Sequence, residues 1–241
     1  MTERLSDITV RIGSGRQLSA VITAMRGIAA ARSREARGRL DGVRIYARTV
    51  AEAIGHALEC LPGGPPAASG SPGGTSPEGG HGIVAFCAEQ GFVGTFNERV
   101  LDAAQRLMTR VPDQASQLML IGDRGLMSAA ERGLAVAWSA PMPAHAGQAA
   151  ALASRIVDEL YRQLDAGQVT RITIVHASPG LSASVEVREK VLIPFDFGRF
   201  PLAKQAQRPL LTLPPDILLA RLAEEYVFAE LALAALESFA S

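Results

Sequence analysis

The first sixty residues carry apolar or small side chains at alternating spacings of four and three. The pattern runs without a change of phase from Ile8 to Leu61. It is the spacing of a coiled-coil seam, in which one side chain in about 3.5 faces a partner helix. At ~1.5 Å per residue the pattern predicts a helix of about 54 residues and ~80 Å, the N-terminal coiled-coil helix of residues 1–61. The large aliphatic side chains at the start of this seam are Ile8, Ile12 and Ile22.

A second seam occupies the last residues of the chain. Pro214, Pro215 and Asp216 form a strong helix start, and the helix that follows would span about 26 residues or ~39 Å. Its apolar positions are Leu219, Leu222, Tyr226, Ala229, Leu233, Leu236 and Ala240. We expect the two seams to pair as a long antiparallel coiled coil. Because the second helix is about half as long as the first, we expect residues 214–241 to be the start of a truncated helix, or another protein to cover the remainder.

The segment between the first helix and the next apolar run is rich in helix breakers. Residues 62–82 include five prolines and eight glycines. Such a segment buries too little apolar surface to offset the entropy of ordering it. We therefore predict a flexible loop over residues 62–82, with His81 exposed to solvent.

Residues 83–213 alternate between short apolar runs and helical patterns. The predicted strands include GIVAFCA, QLMLIGD, LAVAWSA, RITIVHA and SASVEVREKVLIPFD. Helical patterns separate the first four of them, which is typical of a sheet layered by helices. The fold predicted for the chain is α/β, a Rossmann-like domain over 83–213 attached to the antiparallel coiled coil.

Charge is balanced over the chain but concentrated on the first helix. The formal net charge of zero argues against a protein whose main work is nucleic-acid binding. Between Arg11 and Arg48, only Glu35 and Asp41 oppose nine arginines. A face of this kind is either solvated or meets an acidic partner or phosphates. The nine are Arg11, Arg16, Arg26, Arg32, Arg34, Arg37, Arg39, Arg44 and Arg48.

No arrangement of residues in the sequence predicts catalysis or metal binding. The segment CAEQGFVGTFNERV, residues 87–100, has glycines between a strand and a helix but lacks the spacing of a phosphate-binding loop. We interpret it as a structural turn. Cys87 has no histidine nearby in sequence that could activate it, and the four histidines show no metal-ligand spacing. We expect no catalytic residue, no metal and no cofactor.

Three segments resemble the gamma subunit of F-type ATP synthases. VITAMRGIAAAR, residues 21–32, is similar to the I-T-K-A-M-x-x-V-A-A-x-K stretch of that family. EQGFVGTFN, residues 89–97, resembles its D-R-G-L-C-G-x-F-N motif and keeps Gly91, Gly94, Phe96 and Asn97. EEYVFAELALAALESFAS resembles the opening of its C-terminal helix. The departures are Thr23 for the lysine and Glu89-Gln90 for the Asp-Arg pair.

The resemblance implies a rotor shaft. A coiled coil would turn inside a ring of alpha and beta subunits, which hold the catalytic sites, and couple ion flow to ATP synthesis or hydrolysis. The α/β domain would bind the epsilon subunit and the membrane c-ring, at the cytoplasmic face of the inner (plasma) membrane. The residues expected to contact the ring are Met25, Arg26, Ile28, Arg32, Arg34 and Arg37.

Three other functions stay open at this point. A nucleotide-binding α/β enzyme would bind a nucleotide as an isolated protein. A coiled-coil adaptor would form a homodimer through its first seam. A nucleic-acid-binding protein would show DNA affinity that falls steeply with salt.

Overall fold

The fold is known from a computed structural model that describes residues 2–61, 79–110, 115–180, 185–200 and 210–241, with side chains described from Asp7 onward. A helix of 58 residues, α1 (Thr2–Glu59), comes first. It is the long helix predicted from the first seam. Most of the predicted loop, residues 62–78, lies outside the described residues.

The central part of the chain is a five-stranded sheet with helices on both faces. Its strands are β1 (Gly80–Phe86), β2 (Ser116–Ile121), β3 (Val136–Ala140), β4 (Val169–Pro179) and β5 (Val185–Ile193). Its helices are α2 (Phe96–Thr109), α3 (Asp123–Glu131) and α4 (Ala149–Asp165). The strand order is β3-β2-β1-β4-β5, with all neighbours parallel except β4 and β5. We call this part the α/β unit, and it is the Rossmann-like architecture predicted from the sequence.

One prediction for the loop was wrong at its C-terminal end. β1 begins at Gly80, so residues 80–82 belong to the sheet rather than to the predicted loop. His81 was expected to be exposed, but it is buried, and its Nε2 lies 2.8 Å from Thr173 Oγ1 on β4. The physical reason is that a strand between two neighbours is covered whatever its composition, because the adjacent strands and the helices above them exclude water.

The last helix, α5 (Pro215–Ala240), starts at the predicted prolines and runs antiparallel to α1. Ser33 of α1 contacts Ala240 of α5, and Tyr46 contacts Glu225. Leu219, Tyr226 and Leu236 of the predicted seam are buried, and Leu222 and Leu233 are partly buried. The antiparallel pairing of the two seams is therefore present over this length.

α5 does more than pair with α1. Its second half is buried on nearly every side, because it lies between α1, α4 and β4. An α-helix that is apolar all round is typical of such an interior position. Residues 214–241 were predicted as a coiled-coil segment apart from the α/β domain, but from Val227 to Ala240 the helix shares one hydrophobic core with the sheet and α4.

α1 divides into two halves with different surroundings. From Ala36 to Leu58 its seam is buried against α5 and the α/β unit, with Leu40, Val50 and Ile54 among the covered side chains. From Asp7 to Ala31 every residue is exposed. None of the described helices is long and apolar enough to cross a membrane.

Candidate functional site: the exposed half of α1

The exposed half of α1 presents large apolar side chains to solvent. Ile8 is 53% exposed, and Ile12 and Ile22 are similarly open, so these three predicted seam residues meet no partner among the residues that the structure describes. Single exposed aliphatic residues are common, but a continuous set of them on one element marks an interaction surface. The full set of exposed large apolar residues here is Ile8, Val10, Ile12, Leu18, Val21, Ile22, Met25 and Ile28.

The apolar residues form a stripe beside the seam. Val21, Met25 and Ile28 follow one another at spacings of four and three, which places them on one side of the helix. They lie one residue before the seam positions Ile22, Arg26 and Ala29, so the stripe and the seam are adjacent. The exposed half therefore offers a seam of mostly small residues and, next to it, a row of larger side chains.

Arginines border this surface. Arg26 and Arg34 are exposed, as is Arg37, and Arg32 is partly exposed. None of these four forms an ion pair with another described residue; the described ion pairs of α1 begin at Glu35. The predicted contact residues Met25 and Ile28 are likewise open to solvent. The surface is thus both apolar and cationic.

Residues 87–97 connect β1 to α2 through a turn. The Asn97 side chain accepts a hydrogen bond of 2.8 Å from the Ala88 main-chain N–H, and Phe96 is buried against the sheet. Gly94 has a φ of +56°, a conformation that glycine adopts at little cost. Gly91 lies next to the Arg124 side chain.

A carboxylate from this turn lies at the N-terminal end of α3, where main-chain amides could otherwise bind an anion. Glu89 Oε2 accepts hydrogen bonds from the main-chain N–H groups of Asp123, at 3.2 Å, and Met142, at 2.8 Å. Asp123 begins α3, so the carboxylate also lies at the positive end of that helix. The amides that a bound anion would need here are already paired with a negative side chain.

The sheet edge at which α/β folds usually bind ligands is also filled by the chain itself. That place lies beyond the carboxyl ends of the strands where their order reverses, here β1 and β4. The β1–β4 pairing ends at Val175, and α5 covers the following residues of β4. Ser238 Oγ accepts a hydrogen bond of 3.2 Å from the Ala177 N–H, and Glu237 contacts His176.

The cysteines and the acidic residues do not assemble into a reactive site in the described part of the chain. Burial raises the pKa of Cys87 to about 12, although the charge of Arg132 acts weakly in the opposite direction. Cys87 is therefore a thiol at neutral pH. Within the described residues no group of three or more His, Cys, Asp or Glu side chains is placed to hold a metal ion.

A buried charge cluster lies around Glu237, a residue that the sequence pattern did not single out. Glu237 is 4% exposed, and its carboxylate contacts Arg44 of α1 and His176 of β4. Burial raises the pKa of Glu237, but the hydrogen bonds from His176 and Arg44 outweigh it and lower the pKa to about 2. The sequence signal for the cluster is the segment LALAALESFA, in which Glu237 interrupts an apolar run. A carboxylate buried in such a run requires a partner of opposite charge or a hydrogen-bond donor.

Comparisons with known proteins agree on one family. The family model described as ATP synthase matches residues 4–241. The chain is 31% identical over 123 residues to the ATP synthase gamma chain of Rhodospirillum rubrum. That match covers 50% of this chain and 41% of the relative, less than half of its length.

Two solved structures share the fold at low sequence identity. The central stalk and c-ring structure of the Tetrahymena thermophila mitochondrial ATP synthase contains a chain with a TM-score of 0.57 and 17% identity, and the match covers 91% of this chain and 93% of that one. The rotor of the Euglena gracilis mitochondrial ATP synthase contains one with a TM-score of 0.51 and 10% identity, covering 93% and 85%. Because the family model spans nearly the entire sequence, this chain belongs to the ATP synthase gamma-chain family.

Proposed function

We propose that this chain is the central-stalk subunit, the rotor shaft, of an F-type ATP synthase. The observation that carries the proposal is the contrast between the two halves of α1. One half is built into the α/β unit, and the other extends away from it, exposed from Asp7 to Ala31. At ~1.5 Å per residue the exposed half reaches roughly 40 Å. A stiff extension with an apolar and cationic surface suits a shaft that a surrounding protein encloses.

The alpha and beta subunits are the partners that we propose for this surface. Met25 and Ile28 would contact apolar side chains of the ring, and Arg26, Arg32, Arg34 and Arg37 would meet acidic loops. Exposed ion pairs contribute only about 0–1 kcal/mol each. The arginines would therefore guide the rotating shaft, and the apolar stripe would provide most of the contact.

The α/β unit would make the contacts on the membrane side of the complex. In this proposal it binds the epsilon subunit and the membrane c-ring, so that ion flow turns the shaft. The catalytic sites lie on the alpha and beta subunits, and this chain supplies neither a catalytic residue nor a cofactor. It would lie at the cytoplasmic face of the inner (plasma) membrane, attached through the complex alone.

Reconstitution tests the proposal. The chain is mixed with alpha and beta subunits from the same source, the products are separated by size, and ATP hydrolysis is measured. We expect a co-eluting complex that hydrolyses ATP. A homodimer that ignores both subunits would favour the adaptor, and saturable nucleotide binding by the isolated chain would favour the enzyme.

A matched pair of variants shows whether the exposed half makes the contact. Ile28 and Ile45 lie on the same helix and are 57% and 54% exposed, but Ile45 belongs to the half that α5 covers. We expect Ile28→Asp to weaken co-elution and Ile45→Asp to leave it unchanged. Equal effects of the two variants would contradict the assignment of the surface.

A further inference from the structure

One buried carboxylate joins three elements of this chain. Glu237 lies on α5, and its Oε1 accepts a hydrogen bond of 2.8 Å from the Arg44 guanidinium on α1. Its Oε2 lies 3.0 Å from His176 Nε2 on β4. We call Arg44, His176 and Glu237 the Glu237 cluster. It connects the long helix to the sheet through two short polar contacts.

Many of the apolar contacts between α1 and α5 are made by small side chains. Ala36 and Ala47 lie in the buried seam of α1, and alanines fill much of α5. Small side chains let helices approach closely but interlock little, and hydrophobic attraction has no preferred direction. Larger buried side chains of α1, such as Leu40 and Ile54, add apolar contact, but a contact with a defined direction requires polar groups. The buried alanines of α5 are Ala229, Ala232, Ala234, Ala235 and Ala240.

The Glu237 cluster supplies a buried directional contact, in addition to the exposed hydrogen bond between Tyr46 and Glu225. Within the described part of the chain, the ion pair that joins α1 to another element is Arg44–Glu237. The other ion pairs of α1 link residues of the same helix, as Arg48 and Glu52 do. A buried pair is often no more stabilising than apolar residues of the same volume, whereas removal of one partner is strongly destabilising. In this chain we infer that the pair fixes the position of α1 against α5 and β4.

Two flanking hydrogen bonds reinforce the same arrangement. Ser238, next to Glu237, accepts a hydrogen bond from the Ala177 N–H of β4. Ser33 Oγ donates a hydrogen bond of 2.8 Å to the Ala240 carbonyl. The last turn of α5 is therefore bonded to α1 on one side and to the sheet on the other, with Glu237 between them.

We propose that Glu237 is a torque-bearing positioning residue, which locks α1 to β4 so that the shaft and the α/β unit turn as one body. This inference rests on the function proposed above. It adds the place at which torque passes between α1 and the α/β unit. Replacement of Glu237 by glutamine keeps the volume of the side chain but removes the negative charge that faces Arg44 and His176.

Rotation under load tests the proposal in the assembled complex. The alpha and beta subunits are fixed to a surface, Cys60 is replaced by serine, and a bead is attached to a cysteine placed at the exposed Arg106 of α2. We expect Glu237→Gln and Arg44→Met to lower the torque on a large bead, because each variant breaks the contact between Arg44 and Glu237. Hydrolysis without a load should stay close to that of the parent chain. Glu52→Gln, in a pair confined to α1, is the matched control and should keep full torque.

Arg44→Met keeps the experiment decisive if Glu237→Gln does not fold, because Arg44 lies at the half-exposed end of the cluster. His176→Gln retains a donor toward Glu237 and should retain torque, whereas His176→Leu should lose it. Full torque in Arg44→Met under the largest load would overturn the lock while leaving the rotor function in place. A parent chain that neither assembles nor rotates would overturn both proposals together.

Discussion

The Ser33 hydroxyl donates a 2.8 Å hydrogen bond to the carbonyl of Ala240, and this contact marks the boundary between the two halves of α1. Beyond it toward Glu59, α5 and the α/β unit cover the seam. Before it, every residue from Asp7 to Ala31 is exposed. The proposed shaft surface and the proposed lock therefore lie on opposite sides of one contact.

Charge reversal on the exposed half should uncouple the machine. In Arg26→Glu with Arg32→Glu, we expect fewer ions pumped per ATP, with assembly largely retained, because exposed ion pairs contribute only about 0–1 kcal/mol each. Ion pumping and ATP hydrolysis are measured in the same vesicles. Arg106→Glu with Arg155→Glu changes the charge equally on exposed faces of α2 and α4 and is the control. Unchanged pumping per ATP in the first variant would contradict the contact assignment.

Two glycines of α1 should be replaceable with a gain in stability. A Cβ at Gly38 or Gly42 would meet nothing within 4 Å, and both residues are exposed. Alanine at each should therefore raise the free energy of unfolding by up to about 1 kcal/mol through helix propensity. Urea unfolding followed by circular dichroism measures the change.

Gly125 is the opposite case and serves as the contrast. A Cβ there would lie 2.1 Å from Cys87 Cβ, where α3 packs closely on the sheet. Gly125→Ala should lower the free energy of unfolding by roughly 1–3 kcal/mol through overpacking. A stability equal to that of the parent chain would show that α3 has more room than these distances allow.

His81 should remain neutral at pH values well below the usual pKa of histidine. Burial, assisted by the charge of Arg171, lowers its pKa from 6.5 to about 4. The unfolded chain therefore binds more protons between those values, and stability should fall as the pH drops from about 6.5 toward 4, by roughly 2 kcal/mol from this group. An NMR titration of the imidazole carbon signals measures the pKa directly. Arg171→Gln should raise it part of the way, and a value near 6.5 in the parent chain would refute the buried placement.

The two cysteines should differ strongly in reactivity. Cys87 is buried with a raised pKa, whereas Cys60 is partly exposed at the end of α1. Since the thiolate is the reactive form, we expect an alkylating reagent at pH 8 to modify Cys60 about a hundred-fold faster or more. Mass spectrometry of digested protein follows each site. In denatured protein the two cysteines should be alkylated at similar rates. Comparable native rates would contradict the burial of Cys87.

Periodicity along the chain was sufficient to predict both long helices, since the residues that define a seam are close in sequence and repeat with the helix. The start of α5 at Pro215 and the turn around Asn97 were predictable for the same reason, because proline, glycine and capping residues act on their immediate neighbours. The alternation of strands and helices likewise predicted the α/β unit. The exposed contact residues, such as Met25 and Arg26, were proposed from the resemblance, and their role in binding stays a prediction.

Contacts between distant segments decided the rest. His81 sits in a segment whose composition predicts exposure, yet the neighbouring strands of a parallel sheet cover it. α5 carries a seam for one partner, but α1, α4 and β4 together surround it. Glu237 became a joint between α1 and β4 because folding brought Arg44 and His176, far away in sequence, to its two oxygens. Local spacing therefore determined which elements form, whereas burial and the pairing of charges depended on which elements the tertiary structure placed side by side.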